Sequence, residues 1–162
     1  MSEFTTEHAA LGAPLKILVA EDSAADRFWL EMVFKSARIP YTLIAVTDGE
    51  AAREYLQHLA EGPDVPDLVF LDQNLPHLSA MEILQELPHI QTLPYCVITG
   101  SASEKDQWVK EFGLSPHCFI LKPLTQAKLV AFLQAYSSLR PLADSIEQSS
   151  SSLSSEAAPP VP

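Results

Sequence analysis

Five short apolar runs recur along the chain at intervals of about two dozen residues: LKILVA (15–20), YTLIAVT (41–47), DLVFLD (67–72), YCVITG (95–100) and HCFILK (117–122). Each is too short for a buried helix and rich in β-branched residues, so each predicts a strand. The stretches between them are amphipathic. Ser23 precedes AADRFWLEMVFKSAR, where Phe28, Met32 and then Phe34 or Lys35 recur at helical spacing, and Asp26 stands as an acid in the first turn. DGEAAREYLQHLAEG predicts a helix ending near Gly62, SAMEILQEL one stopped by Pro88, SEKDQWVKEFG one ending at Gly113, and TQAKLVAFLQAYSSLR the last. Strands that read as continuous apolar runs, each followed by a helix, imply a parallel sheet covered on both faces. The expected fold is α/β, a doubly wound five-stranded parallel sheet with five helices and right-handed crossovers. Ligands of such sheets sit at the carboxyl ends of the strands, where the strand order reverses.

Composition sets the limits. The 162 residues are 47% hydrophobic, enough for one core. Residues 1–14 are polar and aperiodic and read as a flexible lead-in, 15–139 as the domain, and 140–162, Ser-rich and then Pro-rich, as a disordered tail. The formal net charge of −11 argues against a nucleic-acid partner. No apolar run reaches the ~18 residues of a membrane span, and the N-terminus lacks the features of a secretion signal, so a cytoplasmic protein with no membrane contact is expected. Cys96 and Cys118 lie in apolar stretches without metal-ligand spacing and read as buried thiols, with a disulfide between neighbouring strands as the alternative. The histidines at 8, 58, 77, 89 and 117 show no ligand spacing either.

The chemistry gathers just past the strands. Glu21 and Asp22 follow the first, Asp72 ends the third, Thr99 ends the fourth with Gly100 and Ser101 next, and Lys122 ends the fifth, before Pro123. Three carboxylates brought to one edge repel one another, and a hard divalent cation such as Mg²⁺ resolves the repulsion. A carboxylate held on such a cation beside a lysine suits phosphoryl transfer, with Asp72 as acceptor, Lys122 neutralising charge, Thr99 offering a hydroxyl and Gly100 leaving the approach open.

In this order and context, the five positions over residues 15–139 resemble the response regulator receiver domain of two-component signalling, with its CheY-like, flavodoxin-like fold. The resemblance implies phosphorylation of Asp72 by a sensor histidine kinase, with Mg²⁺ held by Glu21, Asp22, Asp72 and the backbone carbonyl of Asn74. It implies phosphoryl contacts from Thr99 and Lys122, a switch pair of Thr99 and Phe119, and Asn74 and Ser101 tuning hydrolysis. It also implies a cis Lys122–Pro123 bond. The face of the fourth helix, fifth strand and fifth helix is apolar enough for a homodimer. The wording LDQNLP and the long link HLAEGPDVP are similar to stand-alone receivers that partner phytochrome-type kinases. One position departs: the family's loop glycine eight residues after the acceptor is here Ala80, where a positive φ would be strained.

Bland readings compete. Asp72 alone reads as a strand-end turn residue, Glu21 and Asp22 as a solvated helix flank, Phe119 as core, and Trp108 with Phe112 as core or a partner face. A Mg²⁺-dependent aspartyl phosphatase is the enzymatic alternative. Asn74, which cannot transfer a proton, stands where its general acid belongs, so no enzyme is expected. A flavin-binding fold is disfavoured because AEDSAAD is anionic where a phosphate loop needs amides. A receiver-like module that works without phosphorylation is the third reading.

Overall fold

In the computed structural model, residues 13–61, 65–115 and 118–154 are described. The lead-in 1–12, the helix end at Gly62, His8, His117 and residues 155–162 lie outside them. The apolar runs form β1 (Leu15–Ala20), β2 (Tyr41–Val46), β3 (Leu68–Asp72), β4 (Tyr95–Thr99) and β5 (Phe119–Leu121), all parallel in the order β2-β1-β3-β4-β5. Between and after them lie α1 (Ala24–Ser36), α2 (Gly49–Gln57), α3 (Ala80–Glu86), α4 (Ala102–Phe112), α5 (Gln126–Gln134) and α6 (Arg140–Ser154).

The first five helices start where a short polar side chain accepts from the first turn. Ser23, Asp48, Ser79, Ser101 and Thr125 do this, and Ser79 forms a reciprocal capping box with Glu82. Every residue of β3 and β4 is buried, as a central strand with both faces covered requires. One face packs Ile17, Phe70, Phe34 and Phe132. Phe70 touches Phe34 edge-on, with centroids 5.9 Å apart and planes at 82°. The other face packs Leu18, Leu71 and Val97 against Leu56 and Ile83.

The structure corrects two expectations. In α1 the spacing Phe28–Met32 is helical but faces solvent: Phe28 is 63% and Met32 41% exposed, while Leu30, Val33 and Phe34 are buried. Both sets satisfy the same periodicity, and only contact with the sheet distinguishes them. The second correction concerns 140–162. Rather than disorder from residue 140, the chain forms a sixth helix to Ser154. Leu139, Ala143 and Ile146 make a stripe at helical spacing that joins the Phe132 core. Gln126 Nε2 donates to Ser150 Oγ at 3.1 Å and Gln134 Nε2 to Glu147 Oε1 at 3.2 Å, so α6 runs back along α5. The serines bond within the helix, Ser149 to the Ser145 carbonyl and Ser150 to that of Ile146. Average composition hid a stripe of three residues. Ile146→Ala is expected to lower unfolding free energy by about 2 kcal/mol and to speed amide exchange over 140–154. Exchange already complete in the parent would show that α6 is not packed.

Candidate functional site

β1 lies inside the sheet. The chain leaves it first for the edge strand β2 and then for β3 on the other side, so the order reverses between β1 and β3. Ala20 pairs with Leu71, which puts Glu21 and Asp72 one step further along adjacent strands. Carboxylate oxygens of Glu21, Asp22 and Asp72 all lie within 4.8 Å of one another. Glu21 and Asp72 are each 5% exposed, and Asp22 faces solvent. The Asn74 amide donates to Asp72 Oδ1 at 3.2 Å, fixing the carboxylate at the start of its loop.

Lys122 enters from β5. Its backbone amide donates to the Thr99 carbonyl at 2.8 Å, and the Lys122–Pro123 bond is cis as the resemblance implied. Nζ donates to Asp26 Oδ2 at 2.6 Å, Glu21 Oε2 at 3.1 Å and Asp72 Oδ2 at 3.2 Å. Burial works to lower the ammonium pKa. The hydrogen bonds from Asp26 and Glu21 and the charge of Asp72 outweigh it and push the pKa up.

One cation among these acids leaves a surplus of negative charge. Burial, and after it the hydrogen bond to Asp72, push Glu21 up to about 7 against the pull of the Ser23 amide and Lys122. Three carboxylates within 4.8 Å of one another, two of them buried, are a set of oxygen donors that fits a hard divalent ion, with Glu21, Asp22 and Asp72 to hold it. The Glu21 pKa is raised above its ordinary 4.5, so its contribution to folding in the absence of metal is present below about 4.5 and lost as pH rises through about 7. Metal binding must displace the Glu21 proton. Mg²⁺ affinity is therefore expected to climb between about pH 6 and 8 with uptake of one ion per proton released, and Glu21→Gln should flatten the climb. Titration calorimetry in buffers of different ionisation enthalpy measures this, and pH-independent affinity would contradict it.

The other residues anticipated from sequence divide. Thr99 is fully buried at the tip of β4, yet its hydroxyl donates to Glu104 Oε2 at 2.9 Å and accepts from the Ser101 amide at 3.1 Å. Ser101 caps α4 through the Glu104 amide at 3.3 Å. Phe119 is buried and stacked on Trp108, centroids 5.9 Å apart and planes at 24°. Trp108 is thus core, whereas Phe112 is 41% exposed. Cys96 and Cys118 are both free and buried.

The departure at Ala80 carries no strain. Ala80 is the buried first residue of α3, and the left-handed position of the acceptor loop is His77, at φ 70°. Histidine enters that region more readily than most residues. The loop closes over α2: Pro76 O accepts from Gly49, where a Cβ would overlap the Leu78 carbonyl. Gly100 has open space where its Cβ would stand, so no protein atom described here demands glycine there.

Sequence reading missed the partners. Asp26 was legible as a helix-start acid but not as a ligand of a lysine 96 residues away, and Glu104 gave no signal of its contact with Thr99. Trp29 was missed too. It is half exposed, and its Nε1 donates to the Leu124 carbonyl at 2.7 Å. It lines a cleft of about 550 Å³, with Leu30, Ile98 and Leu124, that reaches Glu21, Asp26 and Lys122. Among the described residues no helix is long and apolar enough to cross a membrane.

Comparison with known proteins gives the family. Residues 17–134 match the response regulator receiver domain. The chain is 33% identical over 130 residues to the response regulator Rcp1 of Synechocystis, covering 77% of this chain and 88% of that one. The Mn²⁺-bound form of Rcp1 superposes with a TM-score of 0.56 at 28% identity, over 91% of this chain and all of that one. The phosphorylated cyanobacterial phytochrome response regulator RcpA gives 0.56 at 27%, over 92% and 100%. The bacteriophytochrome response regulator AtBRR gives 0.64 at 26%, over 75% and 91%.

Proposed function

Because the chain belongs to the response regulator receiver family of two-component signalling, we propose that it takes a phosphoryl group on Asp72, with Mg²⁺, from a sensor histidine kinase of the phytochrome type. The observation that carries this is the convergence of Asp72, Glu21 and Asp22 within 4.8 Å of one another, with the Lys122 ammonium bonded to Asp72 and Glu21.

On this reading each part has a task. Bound Mg²⁺ supplies positive charge against the phosphoryl oxygens. Glu21, Asp22 and Asp72, with the Asn74 carbonyl, are the residues to hold it. A carboxylate oxygen of Asp72 attacks phosphorus while the bond to the donor's histidine nitrogen breaks and that nitrogen keeps the electron pair. Lys122, kept charged by its neighbours, balances the new oxygens. Asn74 and Ser101, two residues past Asp72 and Thr99, border the acyl phosphate and tune the approach of water to it. Asn74 has no proton to give a leaving group, which separates this site from an aspartyl phosphatase.

Phe28, Trp29 and Met32 of α1 are exposed apolar residues, and Trp29 lines the cleft that reaches Glu21, Asp26 and Lys122; this face suits the kinase's phosphohistidine helix. On the opposite side, a groove lined by Lys105, Phe119, Leu121, Lys128 and Ala131 spans α4, β5 and α5. That is the face for a homodimer or reader to sense the Thr99–Phe119 switch.

The test is incubation with acetyl phosphate, with Mg²⁺ or with a chelator. An adduct of one phosphoryl group that forms only with the ion and is cleaved by hydroxylamine supports the reading. Sustained turnover of phosphate esters would favour the phosphatase, and no adduct under any donor would favour a module that works unphosphorylated.

A further inference from the structure

The Thr99 hydroxyl has a single proton, and in this structure it is donated to Glu104. The hydroxyl sits at the tip of β4, on the strand next to Asp72, fully buried. Its oxygen accepts from the Ser101 amide, its proton goes to Glu104 Oε2, and Ser101 Oγ closes the ring on the Glu104 amide. A phosphoryl oxygen on Asp72 needs that same proton. The two acceptors are mutually exclusive, because one O–H makes one strong hydrogen bond.

We propose that Glu104 is a positioning residue for the switch, acting through Thr99: its carboxylate holds the hydroxyl away from the acceptor until a phosphoryl group outcompetes it. This rests on Asp72 being the phosphoryl acceptor. Glu104 lies in the first turn of α4, where the helix N-terminus favours its charge. Withdrawal of Thr99 leaves that carboxylate without its partner and frees the first turn of the helix that carries Trp108, stacked on Phe119. The contact thereby links the hydroxyl at the site to the aromatic pair through one helix. A hydrogen bond to a charged acceptor is strong enough to set the balance between the two positions.

The chain has two tryptophans, so Trp29→Phe leaves Trp108 as the sole fluorophore. In that parent, Trp108 emission is followed against beryllofluoride with Mg²⁺, a stand-in for the phosphoryl group. Glu104→Ala is expected to move the half-response to lower beryllofluoride, on the order of tenfold, and Glu104→Gln, which keeps a weaker neutral acceptor, by less. In a Thr99→Val background the Glu104 shift should vanish, since a residue acting only on helix stability would shift the response there too. A Glu104 effect that persists without the Thr99 hydroxyl, or no shift in either variant, overturns the inference. A parent that fails to respond at all, with no adduct from acetyl phosphate, overturns instead the reading of Asp72. Should Glu104→Ala fail to fold, Glu104→Gln with and without Thr99→Val decides alone.

Discussion

Lys122→Met is expected to cost the metal-free protein about 3 kcal/mol at neutral pH, the scale for removing one partner of a buried ion pair. The lysine is the ammonium shared by Glu21, Asp26 and Asp72, and the side chains of Glu21 and Asp72 are 7% and 6% exposed. Without it two buried carboxylates face each other uncompensated. Because the folded pKa of Lys122 lies above its ordinary 10.5, the lysine's contribution is complete below about 10.5 and is lost only above it. In the variant Glu21, whose pKa burial and then the hydrogen bond to Asp72 already raise, titrates instead. Protonation relieves the carboxylates' repulsion, so the deficit should shrink toward about pH 5 and grow above about 7. Saturating Mg²⁺ should restore most of it by mass action. Denaturant unfolding at two pH values, with Mg²⁺ and with chelator, measures all three. A deficit indifferent to pH and to Mg²⁺ would mean that the loss is one of packing.

What the sequence disclosed follows from the range of the forces involved. Strand positions were legible because a sheet covered on both faces demands apolar runs, and β1 begins and ends where LKILVA does. Site residues were legible because they stand at or just past the carboxyl ends of those strands, where parallel topology alone brings them together. Contacts set by side-chain reach were not. Asp26 and Glu104 lie in first turns of helices, where acids are favoured by the dipole whatever else they touch. The buried side of α1 was hidden because Phe28 and Met32 share a period with Leu30 and Phe34. The stripe was hidden because the serines of α6 outnumber its two buried apolar residues, Ala143 and Ile146, which Leu139 joins from just before the helix. At Ala80 the family's glycine suggested strain, and the chain meets that geometry by placing His77 in the left-handed region three residues earlier.

Asp72→Asn is expected to remove phosphorylation entirely while leaving the fold intact. The amide keeps one oxygen, which accepts from the Asn74 amide or from Lys122 but not both, since these reach different oxygens of Asp72, and it relieves rather than creates charge repulsion. With Asp72 neutral, the influence that raises Glu21 through their hydrogen bond and charge weakens, so Glu21 should ionise closer to its ordinary range. The variant loses the nucleophile, because an amide oxygen does not form a stable acyl phosphate. It also loses one ligand of the cation, so Mg²⁺ should bind more weakly.

The most direct measurement is the intact mass of the parent and of Asp72→Asn after incubation with acetyl phosphate and Mg²⁺. One added phosphoryl group on the parent and none on the variant is the predicted result. An adduct of equal extent on both would place the acceptor elsewhere and contradict the account of this site.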